Sequence, residues 1–127
     1  MSTQPSKDLQ TFPNPKQERN YEVQFETDEF TCLCPMTGQP DFANLSIRYL
    51  PDALCVELKS LKLFLWSFRD EGHFHEAVIN EILDRLVLLL DPRAITVEGR
   101  FNIRGGIATT VVASHHKPGH IPVEASP

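Results

Sequence analysis

Residues 43–68 read ANLSIRYLPDALCVELKSLKLFLWSF, and within this run the spacing of apolar residues changes. Ala43, Leu45, Ile47 and Tyr49 recur at every second position, as do Leu54, Val56 and Leu58 beyond a Pro51-Asp52 turn. A period of two marks strands with one covered face, and it predicts an antiparallel hairpin. From Ser60 the period lengthens. Leu61, Leu65 and Phe68, and Phe64 with Phe68, are spaced for a helix, which Gly72 would close.

On the C-terminal side a second helix is predicted from about His73 to Leu90. Val78, Ile82, Leu86 and Leu89 give its inward face, Ile79, Leu83 and Leu90 widen it, and Asp91-Pro92 ends it. Two strands follow, near Ala94–Ile103 and Ile107–Ala113, joined tightly at Arg104-Gly105-Gly106. On the N-terminal side, Tyr21-Glu-Val-Gln-Phe25 alternates as a short strand. The expected architecture is α+β: an antiparallel four-stranded sheet with two helices on one face, in the order β-β-α-α-β-β. Residues 1–19 are polar with three prolines and read as a flexible arm or a strap. The domain is expected over residues 20–114, and 115–127 as an irregular tail. Both outer strands look regular enough to pair with a neighbouring copy, which makes a ring-like oligomer an expectation.

The chain has 127 residues, enough for one domain with a modest core. Its net charge of −5 argues against a general nucleic-acid-binding surface, though not against a local basic pocket. No apolar run approaches the ~20 residues of a membrane span, and no signal pattern opens the chain, so a cytoplasmic protein is expected. Three cysteines, an odd number, fit reduced thiols better than a disulfide framework.

Four stretches could carry chemistry. In Cys32–Asp41, Pro35, Gly38 and Pro40 mark a stiff, turning loop that can hold a thiol and a carboxyl at a set distance. Cys34 is the candidate nucleophile and Asp41 the acid that could fold back on it. The bland reading is a surface turn or an inert buried cysteine. Cys32-x-Cys34 could bind metal, but zinc pairs usually have wider spacing. Glu57 stands before Lys59 and Lys62, an acceptor for an N–H edge beside two cations, or simply an ordinary charged helix start. His73-Phe-His75-Glu76 opens the long helix, where Glu76 suits the helix dipole, and where His75 and Glu76 could instead face a pocket. The two histidines could also join Cys34 around a metal. Arg104, before two glycines, could meet a phosphate or merely flank a turn. His115-His116 are unremarkable.

In this order the motifs closely resemble the QueF family of NADPH-dependent 7-cyano-7-deazaguanine reductases, in its short single-domain form. Glu57–Phe64 matches the eight-residue signature, Cys34–Phe42 the cysteine loop, Phe74–Glu76 the helix motif and Arg104–Gly106 the last turn. The resemblance spans about Phe30 to Gly106. It implies the tunnelling fold shared with GTP cyclohydrolase I, and rings of subunits, commonly two stacked pentamers, with active sites between subunits. It implies Cys34 as the nucleophile forming a covalent thioimide with the nitrile, Asp41 as proton donor and His75 as an aid to proton movement or ring orientation. Substrate binding is implied for Val56, Glu57, Leu58, His75 and Glu76, and NADPH binding for Lys59, Lys62 and Arg104, with no metal. The pathway implied is queuosine formation in tRNA, with a small-molecule substrate and no nucleic-acid or membrane partner.

No Gly-rich dinucleotide fingerprint is present, so NADPH is expected in a surface or intersubunit groove. One departure is Val78, where some members carry a cysteine that can protect the nucleophile in a disulfide. Cys32 is too near in sequence for an easy bridge to Cys34. Two other readings stand beside the reductase: a zinc-dependent cyclohydrolase-like enzyme using a cysteine with His73 and His75, and a non-catalytic purine- or pterin-binding module.

Overall fold

The computed structural model describes residues 4–120 and Val123. The chain order is β1 (Thr11–Pro13), β2 (Val23–Leu33), β3 (Pro40–Leu50), β4 (Leu54–Val56), α1 (Leu58–Trp66), α2 (His75–Leu90), β5 (Ala94–Arg104) and β6 (Ile107–His116). An antiparallel four-stranded sheet in the order β2-β3-β5-β6 carries both helices on one face. Strands β2 and β6 are its two edges. No helix among the described residues is long and apolar enough to cross a membrane.

The α+β class agrees with the sequence expectation, but the first hairpin is built differently. Residues 43–49 do not pair with 54–58. They pair with β2, through a turn at residues 34–39, and β4 pairs instead with β1 (Thr11↔Val56, Pro13↔Leu54). Alternation at Leu54 and Val56 reported a covered face correctly, but it does not name the partner. Much of the cysteine loop is therefore strand: Cys32 and Leu33 end β2, and Pro40 and Asp41 begin β3. Strand β2 also runs well past Phe25. Its register shifts between Thr27 and Phe30, so Val23 and Phe25 share a face with Phe30 and Cys32 despite the change from odd to even numbers. Asn44 Nδ2 braces the bulge, donating to Asp28 Oδ1 at 2.6 Å and Glu26 Oε2 at 3.1 Å.

Helix α1 starts and stops earlier than the periodicity implied. Glu57 is its N-cap, accepting from Lys59 N–H at 2.7 Å and Ser60 N–H at 2.8 Å. It ends at Ser67, whose hydroxyl donates to Phe64 O at 2.6 Å, and the chain continues in turns to Gly72. Helix α2 buries Val78, Ile79, Ile82, Leu83, Leu86 and Leu90, with Leu89 only half-buried. Each fully buried side chain of this kind contributes about 1.5–3 kcal/mol. They pack on Ala43, Leu45, Ile47 and Tyr49 of β3 and on Ile95, Val97 and Phe101 of β5. The β5–β6 turn has Gly105 at φ +58° and Gly106 at φ +78°, the left-handed pair that a two-residue hairpin requires. Strand β6 continues through His115 and His116, so the irregular tail begins later than expected, at Lys117.

The N-terminal segment lies along the helices. Ser6 N–H donates to Leu63 O at 3.2 Å, Gln10 N–H to Ser60 Oγ at 3.0 Å, and Glu57 N–H to Gln10 O at 2.9 Å. At Gly99 the sheet lies tight against α2, because a Cβ there would sit 2.5 Å from Ile79 Cδ1 and 3.1 Å from the Phe101 ring. Replacing Gly99 with Val is expected to destabilise the fold by about 1–3 kcal/mol through overpacking. Chemical denaturation checks this, and an unchanged midpoint would disprove the contact.

Candidate active site

The turn 34–39 is closed by Cys34 N–H donating to Gln39 O and Gly38 N–H donating to Cys34 O, each at 2.8 Å. Gly38 takes φ +74°, a conformation that favours glycine. Cys34 is half-buried on this turn. The Thr37 hydroxyl, then the Met36 and Thr37 amides, hold its thiol below the usual range, against the raising effects of burial and the Asp41 charge. The turn therefore favours a thiolate, the nucleophilic form.

Cys32 has the opposite environment. It is fully buried on the core face, directly across from Asp41, and burial, then the Asp41 and Cys34 charges, push its thiol up to about 11. Cys55 is buried as well, and all three thiols are free.

Asp41 is buried at the start of β3 and held from two sides. Its Oδ2 lies 3.2 Å from His75 Nε2, and its Oδ1 3.4 Å from an Arg104 guanidinium nitrogen. Arg104 also donates to Pro40 O and, at 3.4 Å, to Gln39 Oε1, tying the last hairpin to the turn. His75 stacks flat on Phe101, ring centroids 3.8 Å apart and 6° from parallel, which fixes its orientation. Glu76 follows in the first turn of α2, exposed, and its carboxylate makes no hydrogen bond or ion pair among the described residues. Strand β2 and the start of α2 are locked together by Leu33 N–H to Glu71 O at 2.8 Å and His73 N–H to Leu33 O at 3.0 Å.

The chain thus gathers Cys34, Asp41, His75 and Arg104, with Glu76 beside His75. It does not gather Glu57. That residue caps the far end of α1, whose 9 residues span about 13 Å. The Ser60 and Lys59 amides keep its carboxyl below the usual range. Val56 is in the core and Leu58 is exposed, both at the same β4–α1 junction. The possible metal set also separates. His73 Nε2 is 2.8 Å from Glu71 Oε1, and among the described residues the one group with ligand geometry is Glu71, His73 and Glu81, without Cys34. Lys7 already supplies a cation to Glu71 at 2.9 Å.

A groove of ≈ 790 Å³ runs beside the free edge of β2, with Leu33 and Pro40 in its wall next to the cysteine turn. Lys59, Lys62, Trp66 and Arg69 line its other side. None of its three cations is in an ion pair among the described residues, and Glu29 and Asp70 line the groove with them.

Sequence reasoning missed Thr37. Its signal is a hydroxyl inside a turn closed by glycine, where such side chains bond to nearby groups. Trp66 and Arg69 were missed too, although with Lys59 and Lys62 they are spaced by three, four and three residues along one helical face.

The sheet topology with two helices on one face is the tunnelling fold. The crystal structure of the archaeosine synthase QueF-Like in its apo form superposes with a TM-score of 0.70 at 22% identity, covering 80% of this chain and 96% of that one. The sequence model of the QueF-like protein family matches residues 40–120. NADPH-dependent 7-cyano-7-deazaguanine reductases from Alkalilimnicola ehrlichii and Anaeromyxobacter dehalogenans are 63% identical over 122 residues and 66% over 115. The alignments cover 96% and 91% of this chain, and 95% and 94% of those proteins. This chain belongs to the QueF-like family.

The site makes a direct prediction about thiol reactivity. Of the three cysteines in the folded protein, only Cys34 should alkylate readily at neutral pH. Thr37→Val should move the midpoint of its rate–pH profile upward, and Thr37→Ser should restore it. Iodoacetamide labelling followed by peptide mass analysis measures both. A profile unmoved by Thr37→Val would remove the hydroxyl from thiolate stabilisation.

Proposed function

We propose that this protein is an NADPH-dependent nitrile reductase that converts 7-cyano-7-deazaguanine to 7-aminomethyl-7-deazaguanine through a covalent Cys34 thioimide. The observation that carries this reading is the Cys34 turn, where hydroxyl and amide donors favour a thiolate beside an acid held by His75. The high identity to reductases of that name along almost the whole chain supports it. The product would be a precursor of a modified tRNA nucleoside, queuosine, and the setting cytoplasmic.

The Cys34 thiolate adds to the nitrile carbon as a proton reaches the nitrile nitrogen, so one C≡N π bond is exchanged for a C–S and an N–H bond. Asp41 supplies that proton, and His75 replenishes it across the 3.2 Å contact. The four-electron reduction needs two hydrides, which two NADPH molecules bound in turn would supply, one each; after the first the C–S bond breaks, the Cys34 thiolate leaves, and the resulting protonated imine takes the second, giving the amine. Protonation makes the C=N group a far better hydride acceptor than the nitrile. Glu76, with no partner of its own, accepts hydrogen bonds from the N–H edge of the deazaguanine ring, which suits a carboxylate facing parallel donors. A ring lacking those donors leaves Glu76 unsatisfied and is rejected. Lys59 and Lys62 hold cofactor phosphates, while Arg104 acts at the turn, where it orders Asp41.

Glu57 and Leu58, with the main chain of Val56, would reach the Cys34 site from a neighbouring copy. The free edges of β2 and β6 can pair between subunits to close a ring, commonly of five, and two such rings would make a decamer. The helix-free face, with Ser46, Thr96 and Glu98 buried on it, provides a polar inner wall. The zinc-dependent alternative is disfavoured by the separation of Cys34 from the histidine–glutamate group.

Mixing the protein with 7-cyano-7-deazaguanine should give the absorbance change of a thioimide, absent in Cys34→Ala. An adduct that persists in Cys34→Ala would refute the mechanism. Glu76→Leu should weaken substrate binding about tenfold or more, the scale of one lost charge-assisted hydrogen bond; undiminished affinity by calorimetry would remove Glu76 from ring recognition. Cys34→Ala and Glu57→Leu, each inactive alone, should regain part of the activity when co-assembled. Failure of co-assembled particles to regain it would place both residues in one subunit's site.

A further inference from the structure

The N-terminal segment delivers one ammonium group into the support of the cysteine turn. The Lys7 main chain is fixed first: Ser6 N–H donates to Leu63 O at 3.2 Å, and Arg85 donates to Lys7 O at 3.0 Å. From there the side chain reaches the turns that follow α1. Its Nζ donates to Ser67 Oγ at 2.7 Å, pairs with Glu71 Oε2 at 2.9 Å and lies 3.9 Å from the centre of the Phe68 ring. A surface lysine ordinarily keeps its head in water and its rotamers free. Here the side chain is only 29% exposed, and every partner of the ammonium lies within residues 67–71.

Glu71 passes this hold onward. Its other oxygen lies 2.8 Å from His73 Nε2, so the two side chains close a clip over Gly72. Against the raising effect of burial, His73 and Lys7 hold the Glu71 carboxyl below its usual range, which keeps it ionised. Gly72 is the residue that bridges to Leu33. A Cβ on it would lie 3.5 Å from Pro35 Cα, so its main chain packs on the cysteine turn itself. The hydrogen bonds of Leu33 with Glu71 and His73 are main chain, and no side chain sets their geometry. How firmly residues 67–73 stay against β2 is a separate matter, and there the side chains act.

We propose that Lys7 is a positioning residue for Cys34, acting through Glu71 and His73 to seat the turn that holds the nucleophile. The donors that favour the thiolate, Thr37 and the Met36 and Thr37 amides, keep their aim only while that turn is seated. In the reaction proposed above, on which the catalytic consequence rests, a loosened seat takes the thiol out of line with the nitrile carbon.

The first test needs no substrate. Lys7→Met keeps the apolar stem and removes the charge. The midpoint of the Cys34 rate–pH profile with iodoacetamide should move upward, and Lys7→Arg should restore it. Glu71→Ala should also move it upward. Coulomb influence alone predicts the reverse for Glu71→Ala, because losing a negative charge lowers a nearby thiol. Opposite shifts in the two variants, or no shift in either, would overturn the proposal. Hydrogen exchange at the Leu33 and His73 amides should quicken about fivefold in Lys7→Met, with the core amides of Ile82 and Leu86 unchanged. Equal quickening in the core would reduce Lys7 to a stabiliser of the whole fold and overturn its positioning role. The maximal rate of adduct formation with 7-cyano-7-deazaguanine should fall about tenfold in Lys7→Met and recover in Lys7→Arg. The expected thiol shifts without any adduct in the unaltered protein would sink the reductase reading and uphold the seating of Cys34 by Lys7.

Discussion

Two backbone hydrogen bonds hold the chemistry together: Leu33 N–H to Glu71 O and His73 N–H to Leu33 O. They join the end of β2 to the segment that launches α2. On one side of this junction the chain turns through Cys34 and returns as Asp41. On the other it enters α2 with His75 and Glu76. Cys34 with Asp41, and His75 with Glu76, come from two parts of the sequence that this junction brings together. Because the junction is main chain, its geometry does not depend on which side chains occupy 71–73. The positive end of the α2 dipole also points toward this group of acids and thiol.

Much of this was legible from residue spacing, and the failures have physical causes. Strands β3, β5 and β6 and helix α2 are periodic over most of their length, and periodicity survives without knowledge of neighbours. Strand β2 is not periodic throughout, since its bulge moves the apolar set from odd to even positions, and a reader sees a short strand followed by a loop. The partner of β4 was misassigned for another reason. Leu54 and Val56 show that one face is covered, whereas β1, which pairs with them, is a Thr-Phe-Pro segment with no alternation to announce it. At the site, the thiol and acid were readable because prolines and glycine bracket them. Thr37 was not, because a hydroxyl in a turn is too common to stand out. The separation of Glu57 from Cys34 could not be read at all, since nearness in a motif order says nothing about which end of a helix faces the site.

The electrostatics show a similar division between global and local properties. The chain carries a net charge of −5, yet the groove beside β2 is walled by Lys59, Lys62 and Arg69. Global charge governs solubility and long-range steering, while a helical face concentrates cations where a ligand lies.

Glu57 has a consequence of its own. Each of its carboxylate oxygens already accepts one amide from the first turn of α1, and each retains a lone pair for an outside donor. A ligand that engages those lone pairs therefore grips the nucleus of a helix of only nine residues. Occupancy and helix order become thermodynamically linked, so a ligand on Glu57 would also stiffen the helix that carries Lys59 and Lys62. The same carboxylate would thus transmit the presence of a ligand to the groove wall that Lys59 and Lys62 line.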